Sequence, residues 1–157
     1  MIINNTVTLA LCPDGFQSKT ANRYKFCYKS GGVNYATAKQ KCESNGMRLV
    51  EITSEEKSAA LDSFASYDYT WLALTCPAGT NDCQRRFDLW VWEYSNKNLA
   101  ETEGWGTRFI KNGEFIYGGS FGEHCAHWWK SPGHWGPQSC TSTHYGTLCE
   151  KGKNDCV

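Results

Sequence analysis

The order of regular elements along the chain predicts an α+β domain, with helices first and strands after them. Three observations carry that expectation: a helical pattern over residues 35–45, a second one after residues 53–56, and aromatic, strand-like segments from Thr70 onward. In YATAKQKCESN, Tyr35, Ala38 and Cys42 fall at helical spacing while Lys39 and Lys41 turn away, and Gly46 is placed to stop the helix. MRLVEI then offers Leu49 and Ile52 as the inward side of a short strand. Thr53-Ser54-Glu55-Glu56 has the spacing of a capping box, and Ala59, Ala60, Leu61 and Phe64 supply an apolar face for a second helix that fades near Tyr67. Beyond it, TWLALT and FDLWVWEY read as strands, with the loop CPAGTNDC between them and a long glycine-rich stretch after them. No further helix, repeat, low-complexity linker or charge block is apparent, so a second domain has no boundary to begin from.

The composition narrows the function. The chain has 157 residues, and 16 Lys and Arg balance 16 Asp and Glu, which gives no overall attraction for nucleic acid. No apolar run reaches the roughly 20 residues of a membrane span, and the opening MIINNTVTLALC reads as the start of a mature chain. Nine cysteines without paired CxxC units point to disulfides in a secreted protein rather than to a zinc ribbon. Asn4-Asn5-Thr6 is a weak candidate glycosylation acceptor in keeping with that compartment.

In order and spacing these elements resemble the C-type lectin-like domain, in its long form as found in secreted invertebrate lectins. CPDGF with Phe26-Cys27-Tyr28 is similar to the family's N-terminal hairpin, YATAKQKCESNGMRLVEITSEEK to its two helices and intervening strand, and TWLALT to its WIGL strand. GEHC, HWGPQSC and YGTLCE are similar to its closing segment. The resemblance implies a fold of two helices, two small antiparallel sheets and a long loop region, stapled by disulfides. It implies the pairs Cys12–Cys27, Cys42–Cys149 and Cys125–Cys140, among the many connectivities that spacing alone leaves open. Cys76 and Cys83 then close their own loop, and Cys156 is left for an interchain bridge in a homodimer, with a capped thiol as the alternative. The expected organisation is an N-terminal segment over 1–11, the lectin-like domain over 12–150 and a tail over 151–157.

Sugar-binding members of that family hold a calcium ion with an EPN or QPD triplet, a Glu, and an Asn-Asp after a Trp. Here Phe115-Ile116-Tyr117, or in another register Phe109-Ile110-Lys111, replaces the triplet. Trp135 is followed by Gly136-Pro137, and only Glu123 remains. No proline lies between Pro77 and Pro132, so the triplet's proline is absent in both registers. Because calcium takes about 6–8 oxygen ligands, this loss implies a calcium-independent site. A structural calcium elsewhere in the family's fold would fall at Glu51 and Glu150, but Thr53 and Lys57 stand where further carboxylates are expected.

The stretch GEHCAHWWKSPGHWGPQSC, over 122–140, concentrates three His, three Trp and two Cys. Sugar rings stack on aromatic faces, and their hydroxyl and acetamido groups need a few directed donors and acceptors. Tyr117, Glu123, His124, His127, Trp129 and His134 are therefore the candidate ligand residues. Trp90, Trp128 and Trp135 read as core. His124 and His127 with His134 or Glu123 have the donor chemistry of zinc, but a separation of three along a strand sends the first two to opposite sides, so no metal is assigned. No nucleophile stands with an identifiable base, and no enzyme is expected. Two readings follow. One is a secreted, calcium-independent lectin for terminal N-acetylhexosamine of the GlcNAc or GalNAc type. The other is a lectin-like module that binds a protein or mineral surface.

Overall fold

The computed structural model describes residues 12–63, 69–77, 79–80, 83, 86–103, 110–111, 114–115, 124–129 and 135–151. Strand β1 (Gln17–Ala21) turns back through Asn22 into β2 (Tyr24–Val33), and helix α1 (Tyr35–Glu43), strand β3 (Arg48–Leu49) and helix α2 (Glu55–Asp62) follow. Then come β4 (Tyr69–Thr75), β5 (Val91–Trp92), β6 (Ile110–Lys111), β7 (Glu114–Phe115), β8 (Cys125–Trp129), β9 (Trp135–Gln138) and β10 (Tyr145–Glu150). Two antiparallel ladders dominate. In one, β10 pairs with β2 and β3; in the other, β4 pairs with β5 and β8, and β8 with β9. Among the described residues a single parallel pairing, Gly146 with Thr70, joins the ladders, so the expected two sheets meet along β10 and β4. Among the described residues, β6 and β7 pair only with each other.

Both expected helices are present, each slightly displaced. Asn34 caps α1 by accepting from the Thr37 N–H at 2.8 Å, and Gly46, at φ +72°, takes the left-handed conformation that ends the segment. The cap of α2 is Ser54 rather than Thr53, accepting from the Lys57 N–H at 3.2 Å. Glu103 adds a second acceptor, taking the Glu55 N–H at 3.0 Å, which sequence spacing did not suggest. On α2 the buried positions are Ser58, Ala60 and Leu61, whereas Ala59 faces solvent and Phe64 lies outside the described residues.

The expected strand FDLWVWEY is a correction. Phe87–Leu89 form a 3-10 turn and only Val91–Trp92 are extended, because Asn98 donates to the Asp88 carbonyl at 2.6 Å and the Trp92 N–H bonds the Lys97 carbonyl at 2.9 Å, closing a tight return. A second 3-10 turn spans Leu99–Glu101.

Five of the seven tryptophans, Trp71, Trp90, Trp92, Trp128 and Trp135, are 0–1% exposed, as the core reading of Trp90, Trp128 and Trp135 requires. Each of three indole N–H groups has a named acceptor: Trp71 gives to the Val33 carbonyl at 2.7 Å, Trp90 to the Cys83 carbonyl at 2.7 Å and Trp92 to Thr102 Oγ1 at 2.8 Å. Those bonds let large aromatic side chains bury without stranding a polar group. Four disulfides complete the frame, pairing Cys12 with Cys27, Cys42 with Cys149, Cys76 with Cys83 and Cys125 with Cys140. Cys12–Cys27, Cys42–Cys149 and Cys125–Cys140 are the pairs that the family resemblance implies, and Cys76–Cys83 closes the short loop expected from their nearness in sequence.

Candidate functional site

The described part of the site is the end of the β4–β8–β9 ladder where β8 begins. His124 stands immediately before β8 and is half-buried. Its carbonyl accepts from the Cys76 N–H at 2.9 Å, and its Nδ1 lies 3.3 Å from Cys83 Sγ, so the short disulfide loop braces it from below. Cys125 pairs across the ladder with Gln138 and is bonded to Cys140, which ties the start of β8 to the end of β9. Gln138 in turn donates to the Tyr145 hydroxyl at 2.7 Å and accepts the Ser139 N–H at 2.9 Å. On β9, Gly136 and Pro137 are buried opposite His127 and Ala126 and bring no side-chain oxygen to this end of the sheet.

Of the six candidate ligand residues, His124 is at the mouth of this ladder. Trp129 ends β8 opposite Tyr69, its side chain outside the described residues, and Tyr117, Glu123 and His134 also lie outside them. His127 goes inward. It is 1% exposed, across from Trp71 on β4 and Gly136 on β9, and its ring stacks obliquely on Tyr145 with centroids 4.5 Å apart. β8 runs between β4 and β9 with both faces covered: Ala126 and Trp128 enter one apolar cluster and Cys125 the other. A side chain so placed offers no surface to a ligand.

Burial pushes the His127 imidazole down to about 4, against a smaller opposite influence of the Gly136 backbone. Above its ordinary value near 6.5 the ring is neutral folded or unfolded. As pH falls from there toward 4, the unfolded chain takes a proton that the folded one refuses, so stability is lost across that window, by about 3 kcal/mol when complete. Urea unfolding of the parent and of His127→Phe at pH 7 and pH 4.5 checks this: the parent should lose more stability on acidification than the variant, and equal losses would exclude the buried imidazole as the cause.

The carboxylates considered for a structural calcium, Glu51 and Glu150, are 4% and 7% exposed, and Glu51 Oε2 and both Glu150 oxygens are already engaged. Glu51 Oε2 accepts the Tyr94 and Ser95 N–H groups at 2.6 and 3.1 Å. Glu150 Oε1 takes the Glu51 N–H at 3.5 Å and has Arg48 Nη2 4.0 Å away, while its Oε2 is paired with Lys57 Nζ. An oxygen cage for calcium does not fit here, because a lysine ammonium and an arginine supply the positive charge. The sequence held the signal: a Lys at position 57, where a carboxylate was expected, is itself a cation beside the remaining acid.

Among the described residues, three metal-ligating side chains do converge, but they are Cys76, Cys83 and His124. Sequence reasoning paired His124 with other histidines and with Glu123 instead. The loop CPAGTNDC returns Cys83 to Cys76, and the end of β4 lies beside the start of β8 through the Thr75–Cys125 pairing, so the three meet only in the folded sheet.

Two helices, paired ladders sharing β10 and β4, and disulfides at both ends of the sheet define a C-type lectin-like protein. The chain belongs to the lectin C-type domain family, whose model matches residues 31–151. Among solved structures, it is similar to the cow C-type carbohydrate-recognition domain of CD23, crystallised in the presence of a GlcNAc2Man3 oligosaccharide, with 22% identity, TM-score 0.63 and coverage of 90% of this chain and 96% of that one. It is likewise similar to a calcium-independent type II antifreeze protein, with 15% identity, TM-score 0.59 and coverage of 90% and 95%. Human lithostathine gives 17% identity, TM-score 0.61 and coverage of 91% and 92%. No curated protein matches the chain by sequence.

Proposed function

We propose that the protein is a secreted lectin that binds terminal N-acetylhexosamine without calcium. The observation that carries this reading is the pairing of a lectin C-type frame with Gly136-Pro137 on β9, where neither residue has a side-chain oxygen to share between an ion and a sugar, beside the half-buried imidazole of His124. In this reading Glu123 and His124 hydrogen-bond the sugar, Tyr117, Trp129 or His134 stacks on its apolar face, and His127 packs the strand beneath them. Four disulfides among the described residues favour an extracellular setting, and none of the described helices is long and apolar enough to cross a membrane. Cys156, outside the described residues, joins two chains and so presents two sites for avidity. Cys156→Ser should halve the mass on a non-reducing gel, and a monomeric parent protein would remove the bridge.

A glycan array run with and without EDTA tests the main reading. Retention on N-acetylhexosamine termini should survive the chelator and fall about tenfold or more in Glu123→Ala, the loss of one hydrogen bond to a charged group. Retention abolished by EDTA would overturn calcium independence. A second reading, surface recognition without sugar, draws on the shared fold with the calcium-independent antifreeze protein. A blank array from folded protein would select it.

A further inference from the structure

We propose that, once the Cys76–Cys83 disulfide is reduced, Cys76, Cys83 and His124 form a zinc site. The two sulfurs and His124 Nδ1 lie within 4.8 Å of one another, and Nδ1 is 3.3 Å from Cys83 Sγ. Tetrahedral zinc, with bonds of about 2.3 Å to sulfur and 2.0–2.1 Å to nitrogen, spaces its donors by about 3.5–3.8 Å. The sulfur–nitrogen separation is already close to that. Backbone contacts other than the S–S bond hold each donor in place: the Cys76 N–H bonds the His124 carbonyl at 2.9 Å, and the Cys83 carbonyl accepts the Trp90 indole at 2.7 Å. Cys76 and Cys83 are each 2% exposed while His124 is half-buried, so the imidazole side gives the ion its entry and leaves a fourth position for water.

The chemistry balances with a dithiol as reductant. Its two thiols become a disulfide, Cys76 and Cys83 become thiols, and zinc then displaces both thiol protons to solvent while binding neutral imidazole through Nδ1. The fold has reason to survive the step. The Cys76–Cys83 bond spans a separation of 7, against 15, 15 and 107 for the others, and chain entropy makes the shortest loop the least stabilising. This inference stands apart from the sugar-binding reading and shares only His124 with it.

The test is zinc protection of individual cysteines. The protein is reduced with dithiothreitol under native conditions and freed of reductant without air. It is then alkylated with and without zinc ions, and each cysteine is followed by peptide mass. Zinc should slow alkylation of Cys76 and Cys83 at least tenfold and leave any freed Cys12 or Cys27 unaffected, and His124→Ala, which keeps both thiols, should lose that protection. Four results would overturn the proposal: equal protection in His124→Ala, protection spread over all free cysteines, no protection, or a Cys76–Cys83 bond that stays closed until the fold is lost.

Discussion

Lys57→Met should destabilise the fold by about 3–5 kcal/mol, the cost of leaving a buried carboxylate without its cation. The side chains of Lys57 and Glu150 are 14% and 8% exposed, so water cannot take the place of the missing ammonium. Arg48, 4.0 Å from the other oxygen, makes up only part of the loss. Burial holds the Glu150 carboxyl above the usual carboxylate range, and Lys57, then the Glu51 backbone N–H and last Arg48 oppose that shift. Without Lys57 the upward shift grows. The variant's deficit should therefore shrink as pH falls through the raised value, because the folded state then takes up the proton that neutralises Glu150. Urea unfolding at pH 7 and pH 5 reads this, and Lys57→Met with Glu150→Gln should recover most of the loss. A deficit below about 1 kcal/mol at pH 7, in the range of an exposed ion pair, would mean that the ammonium is not what satisfies this carboxylate. Millimolar calcium should leave the parent's melting temperature unchanged; a clear rise would show that the site takes an ion after all.

Removing the Cys42–Cys149 bond as the paired alanine variant should cost about 5 kcal/mol from chain entropy alone, since it closes a separation of 107 residues. Both sulfurs are 0% exposed, on α1 and β10, so the bond also fills space between the first helix and the strand shared by both ladders. The paired alanine variant at Cys76 and Cys83 should lose only about 2.5 kcal/mol by the same reasoning, for a separation of 7. Urea midpoints of the two variants, compared at constant slope, decide the ranking. If the short bridge costs as much as the long one, local strain or packing rather than chain entropy governs these bonds, and the expectation that the zinc-competent form stays folded goes with it.

The helices were legible because their signals are local. Tyr35, Ala38 and Cys42 all lie on the buried side of α1, and the cap of α2 was displaced by one residue because Ser54, not Thr53, takes the Lys57 N–H. The strand expectation over FDLWVWEY failed for a different reason. Trp90 and Trp92 do both point into the core, but hydrogen bonds from Asn98 and to Lys97 curl the chain around them, and those partners carry no periodicity to read.

His127 shows the same division at the site. The sequence placed this residue on a strand, and what it could not give is that the strand has neighbours on both sides and cover on both faces. What the sequence by itself determined is the family, the helices and the loss of the calcium triplet, since each depends on residue type and spacing; the cysteine pairing followed from the family resemblance, because spacing alone left it open. Only the tertiary structure decided that Lys57 pairs with Glu150, that His127 is interior, and that His124 meets Cys76 and Cys83. Each of those outcomes depends on which distant segment lies alongside, and sheet pairing fixes that over separations that no local pattern encodes.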